Sequence, residues 1–377
     1  MRIGIDAIHI SRNRKGVGRV ERSIIRNLAR MPHDHQYVVF LNSDHTSLRL
    51  KTSASVTYAF ARARNLLAWE QFQLPRLSRR YEVDCMLSLS DRIPWARDGN
   101  VLMYLFEIPD YRANMALAAG GVGVYQRASD FITRTQFPYS LKRVRHIAVA
   151  SSSTGNDLRN HYHVPERKIT VVPAAADSQF EPQLDPARRL KTRGSYSASA
   201  GYVLHFATGD LRDNTAAALQ AFARARIPST MKMVLAGCAS SVIDKLKDDI
   251  IAMQLSERVL LVGYLDEREL VELYQAASAY LDPSLYEGFG LQVLEAMACG
   301  VPVVCSNTTS LPEIVGDAAI TCDPDDPAAF SAGLEAVLNH PDRLAIMRTA
   351  GIRQAGNFSW QRTTGELIRL CELAVTR

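Results

Sequence analysis

Short apolar, β-branched runs alternate with amphipathic helical stretches along almost the whole of this 377-residue chain. Nothing else in the sequence restricts the fold as much. A strand that returns to its sheet through a helix must lie parallel to its neighbour, and a parallel sheet needs cover on both faces. In the first half, strands are expected at residues 2–8, 37–41, 83–87, 101–106, 146–150 and 169–172, with helices at 19–29 and 152–161. In the second half, strands are expected at 202–206, 232–236, 259–262, 279–281 and 301–305, with helices at 215–225, 241–253, 267–277 and 291–299. Between 179 and 200, Pro182, Pro186, Gly194 and a Ser-Tyr-Ser-Ala-Ser run interrupt the periodicity and read as a linker near 185–200. The expected fold class is α/β, with two Rossmann-like doubly wound domains facing across a cleft. Ligands of such sheets bind where the carboxyl ends of strands meet helix N-termini.

Composition removes several alternatives. With 47% hydrophobic and 22% charged residues the chain reads as soluble and globular, and its length suits two domains of roughly 150–190 residues. No apolar run approaches the ~20 residues of a bilayer crossing. The first ten residues are interrupted by Arg2 and Asp6, so they read as a strand and not as an export signal. Six cysteines, at 85, 238, 299, 305, 322 and 371, form no Cys-x-x-Cys pair, which points to a reducing cytoplasm. No cluster of His, Cys and carboxylates suggests a metal. Asp323-Pro324-Asp325 reads as a turn, and Gly16-x-Gly18 lacks the third glycine of a dinucleotide fingerprint. Neither cofactor nor metal is expected.

The net charge of +5 is unevenly placed. Arg12, Arg14, Lys15, Arg19, Arg22, Arg26 and Arg30 face one acid, Glu21, and a second basic stretch runs from Arg134 to Arg145. Such patches attract phosphates on a nucleotide, a membrane surface or a nucleic acid, while a solvated helix face is the alternative. Residues 111–140, with Phe131, Phe137 and Tyr139 among basic residues, are open to membrane contact, an acceptor cradle or a buried helix. Trp69 and Phe72, near Arg62, Arg64, Arg79 and Arg80, have the spacing of a helix face, so core packing is expected there and no nucleic-acid partner. The expected location is cytoplasmic, with peripheral contact to the inner face of the membrane.

Chemistry concentrates in residues 281–304. A strand ends at Leu281, Asp282-Pro283-Ser284 turns the chain, and Gly288 and Gly290 permit backbone conformations that other residues resist. A helix is expected from Leu291 to a stop at Gly300. Glycines before a helix expose N–H groups at the positive end of its dipole, which suits a diphosphate. Glu287 and Glu295 flank that seat, and carboxylates accept hydrogen bonds from sugar hydroxyls.

Glu287 and Glu295, with seven residues between them, resemble the E-x7-E signature of the retaining, GT-B-fold "group 1" glycosyltransferases, family four. The phrase Pro283-Ser284-Leu285-Tyr286-Glu287-Gly288-Phe289-Gly290-Leu291 is similar to that family's consensus. So are Val262-Gly263-Tyr264, Leu273-Tyr274-Gln275-Ala276-Ala277 and Leu311-Pro312-Glu313-Ile314-Val315-Gly316. In the first half, Gly4-Ile5-Asp6-Ala7, Gly16-Val17-Gly18-Arg19, Trp69-Glu70-Gln71 and Val171-Val172-Pro173 resemble one branch of the family. The resemblance implies an N-terminal acceptor domain (1–185), a C-terminal donor domain (200–358) and a last helix (359–377) crossing back to the first domain. It implies that Glu287 contacts the donor sugar in catalysis, that Gly288, Phe289, Gly290 and Leu291 face the phosphates, and that Glu295 holds the ribose. Gly16, Arg212 and Asn214 complete the donor site, and Glu107 is the second catalytic candidate.

Two positions depart from the family pattern. Asp213 stands where a lysine is common on the diphosphate, and Phe106-Glu107 replaces a His or His-Asp pair. The expected function is transfer of a hexosyl group, with mannosyl from a GDP-sugar preferred. Its acceptor would be a hydroxyl of a surface polysaccharide or lipid-linked glycan. A catalytically weak or inactive nucleotide-sugar-binding protein is the alternative.

Overall fold

The computed structural model describes residues 1–12, 16–31, 34–42, 50, 53–94, 100–109, 124–183, 185–238 and 240–376. Contacts divide the chain into two units. The first takes the described residues up to 174 together with 359–376, and the second takes 175–358.

Among the described residues, the first unit carries seven strands: β1 (Arg2–Asp6), β2 (Gln36–Leu41), β3 (Val56–Phe60), β4 (Cys85–Ser88), β5 (Asn100–Leu105), β6 (His146–Val149) and β7 (Ile169–Val171). Every pairing is parallel and the order is β3-β2-β1-β4-β5-β6-β7. The central strands are apolar on both faces because both are covered. Tyr37, Val39, Phe40 and Leu41 are each fully buried, a burial that stabilises by about 1.5–3 kcal/mol per large side chain. Helices α1 (Val17–Leu28), α2 (Leu74–Arg80), α3 (Val124–Arg143) and α4 (Ser152–Tyr162) belong to this unit. Ser151 caps α4 by accepting from Thr154 N at 3.1 Å.

The second unit repeats the plan with six described strands: β8 (Tyr202–Phe206), β9 (Lys232–Ala236), β10 (Val259–Leu261), β11 (Ala279–Asp282), β12 (Val303–Ser306) and β13 (Ile320–Cys322). Their parallel order is β10-β9-β8-β11-β12-β13. Its helices are α5 (Pro186–Ser195), α6 (Thr215–Arg224), α7 (Ile243–Ala252), α8 (Glu267–Ala276), α9 (Leu291–Ala298), α10 (Leu311–Val315), α11 (Pro327–Leu338) and α12 (Pro341–Ala355). Asp266 and Glu269 form a reciprocal capping box on α8. The last helix, α13 (Trp360–Thr376), lies against α1, β4 and β5 of the first unit, and Thr363 Oγ1 donates to Pro173 O at 2.6 Å. Both units are parallel-sheet, Rossmann-like domains. In each, the strand order reverses beside the first strand, between β1 and β4 and between β8 and β11, the switch point at which such sheets bind ligands.

Three expectations need correction. The stretch near 185–200 is not a plain linker. It holds α5, which starts with Pro186 at its first turn and the Asp185 side chain accepting from Ala187 N at 2.9 Å. Proline at a first turn starts a helix as well as breaking one, so a stretch rich in proline and serine does not by itself mark a linker. Residues 175–185 also belong with the second unit, not the first. Phe72 is not core: it is 71% exposed, while Trp69 is fully buried. Trp69–Gln73 is a π-turn, and its extra residue rotates Phe72 off the buried face that a 3.6-residue period assigns it. Strands β3 and β13 were not expected; each is a short strand at the edge of its sheet.

Candidate functional site

The carboxyl ends of β8, β11, β12 and β13 carry a set of loops tied to one another by hydrogen bonds. β8 gives way to a loop in which Asp210 receives Arg212 N at 3.0 Å and the Arg212 guanidinium at 2.6 Å. Asp213 turns inward, accepting from Thr208 N at 2.7 Å and Thr208 Oγ1 at 2.6 Å. Burial raises its carboxyl to about 7 against the opposing pull of those bonds, and the charges of Asp210 and Asp282 add to the rise. Asp213 is thus half neutral near pH 7 and spent on its own loop. That is how an acid is tolerated where the family pattern has a lysine.

Asn214 adopts a left-handed conformation (φ 50°) and its amide donates to Pro283 O and Pro324 O, both at 3.0 Å. One side chain therefore joins the loops after β8, β11 and β13. Leu285 N donates to Arg212 O at 2.9 Å, a second tie between the first two. Below them, His205 is buried, with Nδ1 3.0 Å from Leu281 O and Nε2 3.1 Å from Thr215 Oγ1. Burial lowers its pKa, so the ring is neutral, donating from Nδ1 and accepting at Nε2. Asp282, 2% exposed at the end of β11, receives Tyr280 Oη at 3.1 Å and the hydroxyl of Ser284.

The loop 283–290 is pinned from a second direction. Glu287 N donates to Thr309 Oγ1 at 3.1 Å, and Ser310 Oγ donates to Glu287 O at 2.8 Å. The backbone of Glu287 is fixed on both sides while its side chain remains half-buried. Its charge acts on the buried Tyr280 phenol, whose pKa rises through burial first, then Asp282, with Glu287 a smaller contributor. Gly288, Phe289 and Gly290 are buried, and Phe289 packs edge-on against Phe358 at 6.0 Å. Gly290 is the N-cap of α9 at φ 93°, ψ 44°, with no side-chain cap. A Cβ there would meet Leu311 Cδ2 at 2.7 Å, so both the conformation and the space require glycine.

Leu291 opens α9, and Glu295 follows about 6 Å along the axis at 1.5 Å per residue. Glu295 is 1% exposed, not a solvated helix residue. It helps burial raise the pKa of the Cys299 thiol one turn later. The structure thus brings Arg212, Asn214, Glu287, Gly290 and Glu295 into one framework of loops and helix at the strand ends of one unit.

The remaining candidates, Gly16 and Glu107, lie in the first unit. Gly16 is the exposed N-cap of α1 at φ 51°, and nothing lies within 4 Å of where its Cβ would be. Glu107 is half-buried just beyond β5; the preceding Phe106 O accepts from Thr154 Oγ1 at 2.7 Å. The basic residues Arg14 and Lys15 lie outside the described residues, as do 111–123 of the stretch 111–140.

Sequence reasoning missed the supports: Thr208, Asp282, Thr309 and Ser310 among the strand-end loops, and a buried polar group in the first unit. There Trp69 Nε1 donates to Asp6 at 2.9 Å, Glu21 receives Ile10 N at 2.8 Å, and Arg92 pairs with Glu70 at 3.1 Å. Burial raises Asp6 to about 6 and Glu70 to about 8. The sole local signal was a carboxylate inside an otherwise apolar run at Asp6. Asp323-Pro324-Asp325 is a turn, with Asp325 N donating to Asp323 Oδ1 at 2.9 Å. Among the described residues no group of three or more His, Cys, Asp or Glu is arranged to hold a metal ion. None of the described helices is long and apolar enough to cross a membrane.

Residues 201–354 match the family model "Glycosyl transferases group 1", and residues 14–180 match "Glycosyltransferase Family 4". The chain belongs to the group 1 glycosyltransferases. Among curated members, it is 35% identical over 243 residues to O-antigen chain mannosyltransferase B of Escherichia coli, covering 62% of each chain. It is 29% identical over 247 residues to the MMP alpha-(1->4)-mannosyltransferase of Mycolicibacterium hassiacum, covering 63% of this chain and 56% of that one. The match therefore spans about three fifths of the length of these curated relatives. Among solved structures, sucrose-phosphate synthase from Thermosynechococcus elongatus superposes with a TM-score of 0.77 at 18% identity, covering 99% of this chain and 98% of that one. Anabaena HepE in complex with UDP and glucose gives 0.74 at 15% identity over 98% of each chain. At such identities the likeness is one of fold, the GT-B fold of the group 1 glycosyltransferases.

Proposed function

We propose that the chain is a retaining glycosyltransferase that moves a hexosyl group from a nucleotide sugar to a hydroxyl of a surface-polysaccharide or lipid-linked glycan. A mannosyl group carried by GDP is the preferred donor. The observation that carries this reading is the Gly290-capped start of α9, with Glu287 clamped before it by Thr309 and Ser310 and Glu295 buried in its second turn. The mannosyltransferase names of the relatives favour mannose.

In this reading the N–H groups of Gly288 to Leu291 and the positive end of α9 receive the donor diphosphate, with Arg212 beside it on its Asp210 support. The bond from the anomeric carbon to the diphosphate oxygen breaks as the acceptor oxygen bonds to that carbon from the same face. The acceptor proton passes to the departing diphosphate oxygen. Preorganised N–H dipoles stabilise the charge that develops there. Glu287 orients the donor sugar, Glu295 holds the ribose and Asn214 keeps the donor loops in register; Gly16 and Glu107 are the candidates that the first unit carries. No metal or other cofactor is assigned to the reaction.

The test is turnover with a panel of GDP-, UDP- and dTDP-sugars. Transfer or hydrolysis of one donor, reduced about 100-fold or more in Glu287→Ala with its fold intact, supports the reading. Full activity in that variant overturns the role of Glu287. Donor binding with no turnover in the wild type replaces the enzyme with a nucleotide-sugar-binding protein, the reading that the missing histidine and lysine favour.

A further inference from the structure

Positive charge in the second unit also gathers well away in sequence from the strand-end loops. Helix α5 places Arg188, Arg189, Lys191 and Arg193 within six residues, with no acid inside the helix. Alongside it lies α8, whose Arg268 is already paired with Glu272 at 2.9 Å. A cavity of about 230 Å³ opens between the two helices, and its charged walls are Arg188, Arg189, Lys191, Arg268 and Glu272. Four cations stand against one acid there, a surplus of three.

The individual side chains show that this is more than a solvated face. Arg193 is satisfied, donating to Ala276 O at 2.8 Å and Ser278 Oγ at 3.1 Å, and it serves to staple α5 to α8. Arg189 is not: Nη2 reaches Gln183 O at 2.7 Å, but Nε is buried with no partner. A solvated arginine would hydrate that donor. Arg189 is also crowded by like charge. Burial first, then the Arg189 charge, lowers the pKa of both Arg193 and Arg348. Cations held together are stabilised by an anion, and arginine's planar fork matches phosphate oxygens.

We propose that the cavity between α5 and α8 binds a phosphoryl group. Its volume is below the roughly 300–1,000 Å³ of pockets for drug-sized ligands, so it suits a phosphate and a few attached atoms. Arg188 and Lys191 are exposed at its mouth and draw the anion in, while Arg189 and Arg268 add positive charge along its wall. Leu190, 58% exposed beside them, would enter the acyl region if the phosphate were a lipid headgroup. A soluble phosphate has no use for it.

The test uses the full chain and a double charge reversal, Arg188→Glu with Lys191→Glu, at exposed positions outside the donor framework. Inorganic pyrophosphate is titrated calorimetrically, and co-sedimentation is measured with phosphatidylcholine vesicles with and without phosphatidic acid. The expected result is saturable binding in at least one arm that weakens by about tenfold in the double variant, as reversal of two exposed charges should give. Arg189→Gln should weaken it too, with unchanged nucleotide-sugar turnover in both variants. Pyrophosphate binding that the double variant weakens assigns a soluble phosphate, and variant-sensitive binding confined to phosphatidic acid vesicles assigns a lipid headgroup; pyrophosphate held equally by both proteins belongs to the donor loops. Binding that is identical in wild type and variants, or absent from both arms, overturns the proposal.

Discussion

Asp213→Asn tests whether a buried carboxyl beside the donor loops is held partly neutral. In the wild type, burial raises Asp213 from 3.8 to about 7, and the Thr208 bonds only partly oppose it. A folded-state pKa above the unfolded one means that the folded chain binds the proton more tightly. The resulting stabilisation is fully present below about pH 4 and is lost as pH rises from there through about 7. At about 1.4 kcal/mol per pH unit, that interval corresponds to about 4 kcal/mol. Asparagine keeps the shape and offers one oxygen to both Thr208 donors, but it does not titrate. Variant and wild type should therefore be equally stable near pH 4, with the variant about 4 kcal/mol more stable by about pH 8. Urea unfolding of both proteins across that range measures the difference. The raised carboxyls Asp6, Glu21 and Glu70 lie in the other unit and tilt both proteins alike. A difference that stays flat, or that favours the variant more at low pH, would refute the reasoning.

Gly290→Ala should cost about 2–4 kcal/mol, from left-handed strain and the overlap with Leu311 Cδ2 at 2.7 Å, read as a fall in the thermal midpoint. A midpoint unchanged from wild type would mean that the cap of α9 is not as tight as described. Asn214→Ala should lose about 2–3 kcal/mol in urea unfolding by leaving Pro283 O and Pro324 O without their donor, and should raise the donor KM more than it lowers kcat. Trp69→Phe should cost about 1–3 kcal/mol and push the Asp6 carboxyl higher still, since the indole bond is one of the contacts holding it down. Carboxyl titration followed by NMR reads the second effect directly.

Much of the fold was legible because parallel sheets announce themselves locally. The fully buried runs at Tyr37–Leu41 and Val203–Leu204 are apolar on both faces, and the second is followed by a helix with polar punctuation. Short edge strands such as Ile320–Cys322 carry too few residues to establish a period. Helix α5 was hidden because Pro186 and Gly194 carry opposite meanings at a helix end and inside a loop. The phase shift at Trp69–Gln73 had no signal, because a π-turn is decided by packing and not by composition.

The site divided in the same way. The sequence alone determined the phrase from Pro283 to Glu295, because glycine spacing, a helix start and two carboxylates are properties of neighbouring residues. Only the tertiary structure decided what holds that phrase in place. Thr309 and Ser310 reach Glu287 across 22 and 23 residues, and Asn214 reaches Pro324 across 110. It also decided that Asp213 faces Thr208 and that Glu295 is buried. Hydrogen bonds between loops depend on which strands lie side by side, and in a parallel sheet those strands are joined by crossovers that leave no trace at either partner.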